Sequence, residues 1–470
     1  MALGDDILFA GIRELSEKLR TRALSPVELT EAYLERATTI GAELNAYVTV
    51  TRDLARAQAK KAEAEIAAGS WRGPLHGIPY VAKDLLAVRW YPTTWGAAPL
   101  AAQKLPYDAT IITRLSEAGA VLLGKSAMIE LAGGFGYRTA ASSATGATKN
   151  PWDRTRWTCG SSSGSAAIVA AGLATFALGS ETWGSIVCPS AHCGVSGLRP
   201  TYGRVSRHGA MALSYTLDKL GPLARSAEDC AIVLGVIVGH DDADESSLPQ
   251  ADAQFVWPPQ HRPSLAHLRI GWLAPAAGAA PPVEAACKAA LETLRKAGAS
   301  VEPATLPDGP WRAATSVILW AEAGAAMRGL LASGKVTELA DPTARIGGYL
   351  YETIPAADFV QAQRVRLLAQ KKMESLFQRF DVLAAVGMPE TAWPLDTDLD
   401  KVGRANPIAA LSNLCGLPAL AVPCGFTADK LPIGIQFVGR ALDDAAVVAA
   451  GMHLQSLTDW HKRRPPVAAE

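Results

Sequence analysis

Two serine–glycine clusters and one lysine carry the chemistry that this chain could perform. The clusters are Cys159-Gly-Ser161-Ser-Ser-Gly-Ser165 and Gly179-Ser-Glu-Thr-Trp-Gly-Ser185, and Lys83 ends the apolar stretch Gly77-Ile-Pro-Tyr-Val-Ala-Lys83-Asp84. Glycines let backbone N–H groups crowd a reacting oxygen, and clustered serines offer relay hydroxyls. A lysine is a competent base only when burial lowers its pKa, a condition that an apolar strand meets. Taken singly, each cluster reads as a loop and Lys83 as a surface lysine. Together they read as nucleophilic acyl chemistry.

Three other matches are weaker. Gly119-Ala-Val-Leu-Leu-Gly124-Lys125-Ser126 fits the phosphate-loop pattern, but its four intervening residues are buried-strand material and not a turn. Gly160-Ser-Ser162-Ser-Gly164 fits a nucleophile elbow, yet the preceding Asp153 to Cys159 segment is polar and turn-like where a strand is needed. Cys188-Pro-Ser-Ala-His192-Cys193 superficially suggests metal ligands. Adjacent His and Cys cannot easily share one tetrahedral ion, so buried thiols are the reading, with no metal and no cofactor expected.

The elements that must position these residues alternate between helix and short apolar strand. Ser25 reads as an N-cap with Pro26 in the first turn and Glu28 closing a capping box, and Ala55 to Ala68 as a helix ended by Gly69. Strands are expected within Gly77 to Asp84, ending at Lys83, and near 120–123, 175–178, 268–273, 301, 380–386 and 419–423. Helices are expected over 111–119, 165–174 and 283–297, with the Ala/Pro-rich 274–282 as a surface loop or hinge. This alternation predicts an α/β fold, a three-layer α/β/α sandwich around a large mixed β-sheet. The chain 1–470 is read as one domain: N-terminal helices over 1–70, a catalytic core over 71–230, a variable pocket region over 231–375 and the rest of the core over 376–470.

Composition narrows the class. The 470 residues carry 45 basic and 45 acidic side chains, which removes the electrostatic case for nucleic acid as the main partner. Seven cysteines at irregular spacing (159, 188, 193, 230, 287, 415 and 424) form no disulfide framework and point to a reducing compartment. The start, Met1-Ala-Leu-Gly-Asp-Asp6, has neither a basic nor an apolar leader region. The longest nearly apolar run, 166–178, falls short of the ~20 residues of a membrane span. A cytoplasmic protein without membrane contact is expected, as a monomer or homodimer.

The stretch 158–203, TCGSSSGSAAIVAAGLATFALGSETWGSIVCPSAHCGVSGLRPTYG, resembles the signature of the amidase signature enzymes, Ser-Ser-Lys amide hydrolases. Gly77 to Asp84 looks like that family's lysine strand, and Arg204 to Gly209, Leu217 to Arg225, Gly416 to Pro423 and Asp459 to Pro465 continue the likeness. The resemblance implies Ser185 as nucleophile, Ser161 as bridging serine following a cis peptide, and Lys83 as base. It also implies an oxyanion hole from the backbone of Thr182, Trp183, Gly184 and Ser185, with Ser162 as a further partner of the lysine. The two serines stand 24 positions apart, the family's usual spacing.

Two departures bear on substrate. Trp183 stands where the signature usually has glycine, and its indole must either form a pocket wall or pack into the core. Val187 and Cys188 occupy positions where members acting on charged or glutamine-like substrates often carry arginine. A carboxylate then has no obvious partner, so the substrate expected is a neutral amide, plausibly aryl or hydrophobic, in a pocket lined by Trp90, Trp95, Tyr137 and Trp183. A carbamate is the close alternative. An amidotransferase A-type subunit, passing ammonia to a partner protein, is the alternative of another class.

Overall fold

The computed structural model describes residues 3–258, 264–275, 278–402 and 407–466. Its strands are β1 (Tyr47–Val50), β2 (Pro79–Lys83), β3 (Val121–Ser126), β4 (Lys149–Asn150), β5 (Asp153–Trp157), β6 (Phe176–Glu181), β7 (Ser196–Arg199), β8 (Lys219–Ala224), β9 (Arg269–Trp272), β10 (Ser300–Pro303), β11 (Val382–Val386), β12 (Ala419–Phe426) and β13 (Pro432–Gly439). Eleven of them form one sheet in the order β1-β3-β2-β6-β8-β7-β12-β13-β11-β9-β10. The sheet is mixed. β3, β2 and β6 run parallel, β8, β7, β12 and β13 pair antiparallel, and β11, β9 and β10 are again parallel.

Side chains alternate across a strand, so a strand covered on both faces reads as continuously apolar. In β12, Leu420 and Val422 enter one hydrophobic cluster while Ala419 and Ala421 enter another. β11 divides likewise, Val382 and Ala384 against Leu383 and Ala385. Helices Ala227–Ile237, Pro281–Lys296 and Asp444–Leu457 cover the first face, and helices Trp311–Ala326, Ala356–Phe377 and Pro407–Leu414 supply or border the second. That is the three-layer arrangement expected.

Local signals held where the physics is local. Ser25 Oγ accepts from the N–H groups of Val27 and Glu28 and starts helix Pro26–Thr38. Helix Arg52–Ala67 stops just before Gly69, whose φ of 81° is left-handed. The phosphate-loop match is part of buried strand β3, and its lysine, Lys125, pairs with Asp84 at 2.9 Å. The segment before Ser162 differs from its turn-like reading, because residues 153–157 form β5, which pairs with β4 in a separate two-stranded ribbon. Of the 274–282 stretch, residues 276 and 277 lie outside the described residues. Among the described residues, no helix is long and apolar enough to cross a membrane.

The cysteines depart from expectation. Cys159 and Cys188 form a disulfide, their Cα atoms 6.0 Å apart, while Cys193, Cys230, Cys287, Cys415 and Cys424 are free and buried. Sequence spacing could not reveal this pair, because helix Val187–Cys193 returns to the segment before Ser161 only in the folded chain.

Candidate functional site

Lys83 is the last residue of β2, a strand flanked by β3 and β6 and buried along its whole length. Its Nζ lies 2.7 Å from Ser161 Oγ, 3.0 Å from Ser162 Oγ and 2.9 Å from Ser180 Oγ. All of these partners are hydroxyls. The neighbouring strand carries a second buried lysine, Lys125, and there Asp84 supplies the counter-charge. Burial lowers the pKa of both amines, and direct pairing with Asp84 opposes this at Lys125. At Lys83 only the coulombic pull of Asp218 and Glu181 opposes it, and the pKa falls well below the ordinary lysine value. The fold therefore builds one paired lysine and one stripped of an ion-pair partner.

The serine segments meet the lysine from two elements. Gly160–Ser161 is a cis peptide, and Ser162 is the N-cap of helix Ser163–Ala170. Ser162 N–H donates to the Ser185 carbonyl at 3.3 Å, which holds the two clusters together. Ser185 borders a cavity of about 380 Å³, and its hydroxyl makes no hydrogen bond among the described residues. The structure thus joins Lys83 to Ser161 directly, while Ser185 lines the cavity.

The turn between β6 and helix Val187–Cys193 is fixed by Glu181. Its Oε2 accepts from the N–H groups of Ile186 and Val187 at 2.9 and 3.0 Å, and its other oxygen receives Arg199 and the Asn413 amide. Burial would raise the Glu181 pKa, but Arg199 and Lys219 outweigh it and hold the carboxyl at about 2. The backbone N–H groups of Trp183, Gly184 and Ser185 make no hydrogen bond among the described residues and stand beside the cavity. Thr182 differs in that its hydroxyl donates to Asp218 Oδ1 at 2.5 Å. Gly184 has φ of 92°, a conformation that a side chain would strain.

Of the expected pocket residues, Tyr137, Trp183, Val187 and Cys188 line this cavity. The Trp183 indole is therefore a wall of the cavity. Trp90 and Trp95 are not brought there: Trp90 is 59% exposed against Arg89, and Trp95 packs on the main core. Trp95 stays beside the lysine strand, its N–H donating to the Asp84 carbonyl at 3.3 Å, yet neither tryptophan lines the cavity. Cys188 is committed to the disulfide, and His192 faces the Glu390 carbonyl at 3.1 Å. Sequence reasoning gave no role to Ser180, Glu181 or Arg312. The first two lie inside the quoted cluster, where a carboxylate ahead of a helix start signals a capping acceptor. Arg312 had no local signal.

A buried lysine without an ion-pair partner among serine hydroxyls, and a turn with free N–H groups beside the cavity, stand together on one mixed α/β sheet. The family model described as Amidase matches residues 28–448, and the chain belongs to that family. It is 38% identical to the A-type subunit of glutamyl-tRNA(Gln) amidotransferase from Azoarcus sp. (strain BH72), over 97% of this chain and 99% of that protein. The protein of the same name from Chloroflexus aggregans is 38% identical, over 95% and 96%. The structure of native peptide amidase from Stenotrophomonas maltophilia aligns with a TM-score of 0.83 at 30% identity, covering 97% of this chain and 98% of that one. The family and these relatives make this an amidase-type enzyme.

The relatives also overturn two expectations. A stand-alone hydrolase of neutral aryl or hydrophobic amides is not what the two relatives at 38% identity, alike from end to end, are named for. Their name places them within an amidotransferase and includes a tRNA, against a small molecule alone and no nucleic acid. The error was physical in origin: net charge sums over a whole chain and says nothing of contacts made through a complex. The absence of an arginine just after Ser185, likewise, says nothing of cations that the fold brings from elsewhere in the chain.

Proposed function

We propose that this chain is an amidotransferase A-type subunit. It cleaves the side-chain carboxamide of glutamine through an acyl-enzyme on Ser185 and passes the ammonia to a partner protein that serves a glutamyl-tRNA. The observation that carries this reading is the end-to-end likeness, at 38% identity, to proteins of that name.

In this reading neutral Lys83 takes the proton of Ser161, Ser161 takes that of Ser185, and Ser185 Oγ attacks the carboxamide carbon. The Ser185 hydroxyl swings towards Ser161 when substrate fills the cavity, since catalytic hydrogen bonds often tighten only in the complex. The N–H groups of the Thr182–Ser185 turn receive the oxyanion, each donor contributing roughly 3 kcal/mol to the transition state. Ser162 and Ser180 position the amine. The proton then returns through Ser161 to the departing nitrogen, ammonia leaves, and water attacks the glutamyl ester to release glutamate and restore Ser185.

The test is ammonia release from glutamine, measured for the chain alone and with its partner proteins and glutamate-charged tRNA. The reading expects release that rises when the partners and tRNA are added, with the nitrogen recovered on the tRNA. No release under either condition, with Ser185 still labelled by a fluorophosphonate, would overturn it.

A further inference from the structure

The cavity beside Ser185 is lined by a cation that forms no ion pair among the described residues. Arg312 is the second residue of helix Trp311–Ala326, is exposed, and lines the cavity together with Trp183 and Ser185. Its guanidinium carbon lies 5.5 Å from the centre of the Trp183 ring. Among the described residues it has no hydrogen bond and no ion pair. The other arginine of the cavity, Arg199, is fully buried and already committed to Glu181, the Leu417 carbonyl and Ser412 Oγ. The acidic groups of the cavity are Glu181, held by Arg199, and Asp400.

A guanidinium resting against an indole is oriented by it while its N–H edge stays free, and that edge matches a carboxylate with two parallel hydrogen bonds. The tryptophan that replaces glycine in the signature therefore has a use: it seats an arginine delivered by a distant helix.

We propose that Arg312, seated on Trp183, is the specificity residue that receives the substrate's carboxylate while the carboxamide reaches Ser185. This rests on the amide-cleaving reading of the same cavity and adds the residue that tells a carboxamide bearing an anionic group from a neutral one. It supplies from residue 312 the cation that Val187 and Cys188 do not.

The test measures how well two small amides protect Ser185 from fluorophosphonate labelling: glutaramate, which carries a carboxylate, and pentanamide, which does not. The ratio of their protecting concentrations is read within each protein, so each variant is its own control. In the wild type, glutaramate should protect at a concentration roughly ten- to hundred-fold lower. In R312Q that ratio should collapse towards one, and R312K, which keeps charge but loses the planar fork, should retain only part of it. Equal protection by the two amides in the wild type, or an undiminished ratio in R312Q, overturns the proposal. Glutamine turnover separates the two readings. A ratio lost in R312Q while glutamine is untouched by the wild type would keep Arg312 and remove glutamine. Glutamine hydrolysis with an unchanged KM in R312Q would do the reverse.

Discussion

Nζ of Lys83 has three hydroxyl neighbours, and counting protons around it limits what the site can do. A protonated amine donates to all three; a neutral one donates to two and must accept from the third. Ser162 Oγ donates to the Ser180 carbonyl at 3.2 Å, so towards Lys83 it can only accept. Ser161 and Ser180 remain as the group that gives its proton to the neutral amine. Replacing Ser180 with alanine should lower kcat about tenfold by loosening the amine, with KM little changed, whereas Lys83→Met should lower kcat by about a thousandfold or more. Steady-state ammonia release on both variants checks this, and a Lys83→Met enzyme near the wild-type rate would remove the relay. Stability should move the other way. Between the lowered folded pKa and the ordinary lysine value, the unfolded chain holds a proton that the folded chain lacks, so stability rises with pH across that window. Lys83→Met should flatten this rise and raise the thermal midpoint at neutral pH.

At the scale of elements, the turn between β6 and the helix after Ser185 depends on Glu181. Glu181→Gln leaves Arg199 buried without its charge partner, a change that costs about 3–5 kcal/mol. Denaturant unfolding should show that loss, and a midpoint within error of wild type would mean that the Leu417 carbonyl and Ser412 alone satisfy the arginine. The disulfide spans 29 positions, and a cross-link of that length stabilises by about 3–4 kcal/mol in the chain-entropy account. A reductant should lower the melting temperature of the wild type and leave Cys159→Ser unmoved. These features also mark what the sequence could reveal. The lysine strand and the 158–203 stretch were legible because chemistry and spacing are contiguous there, and β11 and β12 because strands covered on both faces are apolar throughout. The seat of Arg312, the Cys159–Cys188 bond and the withdrawal of Trp90 and Trp95 were not. Each is a meeting, or a parting, that only tertiary packing decides.

For the whole molecule, acid sensitivity should come partly from groups buried in their neutral form. Burial pushes His192 down to about 4, with only its contact to the Glu390 carbonyl opposing. Between about 4 and the ordinary value of 6.5 the unfolded chain binds a proton that the folded chain refuses, so stability falls as pH falls through that window. The loss is on the order of 3 kcal/mol, and His192→Gln should reduce the slope of stability against pH there. An unchanged slope would place the acid lability elsewhere. The two-faced sheet, meanwhile, draws its strands from residues 47 to 439, so its assembly waits on most of the chain. Within it, Ser161 and Ser185 both sit inside the covalent ring that Cys159 and Cys188 close. A protease that nicked the backbone between Ser161 and Ser185 would leave one serine on each of two fragments still joined covalently, and only a thiol would cut that tie.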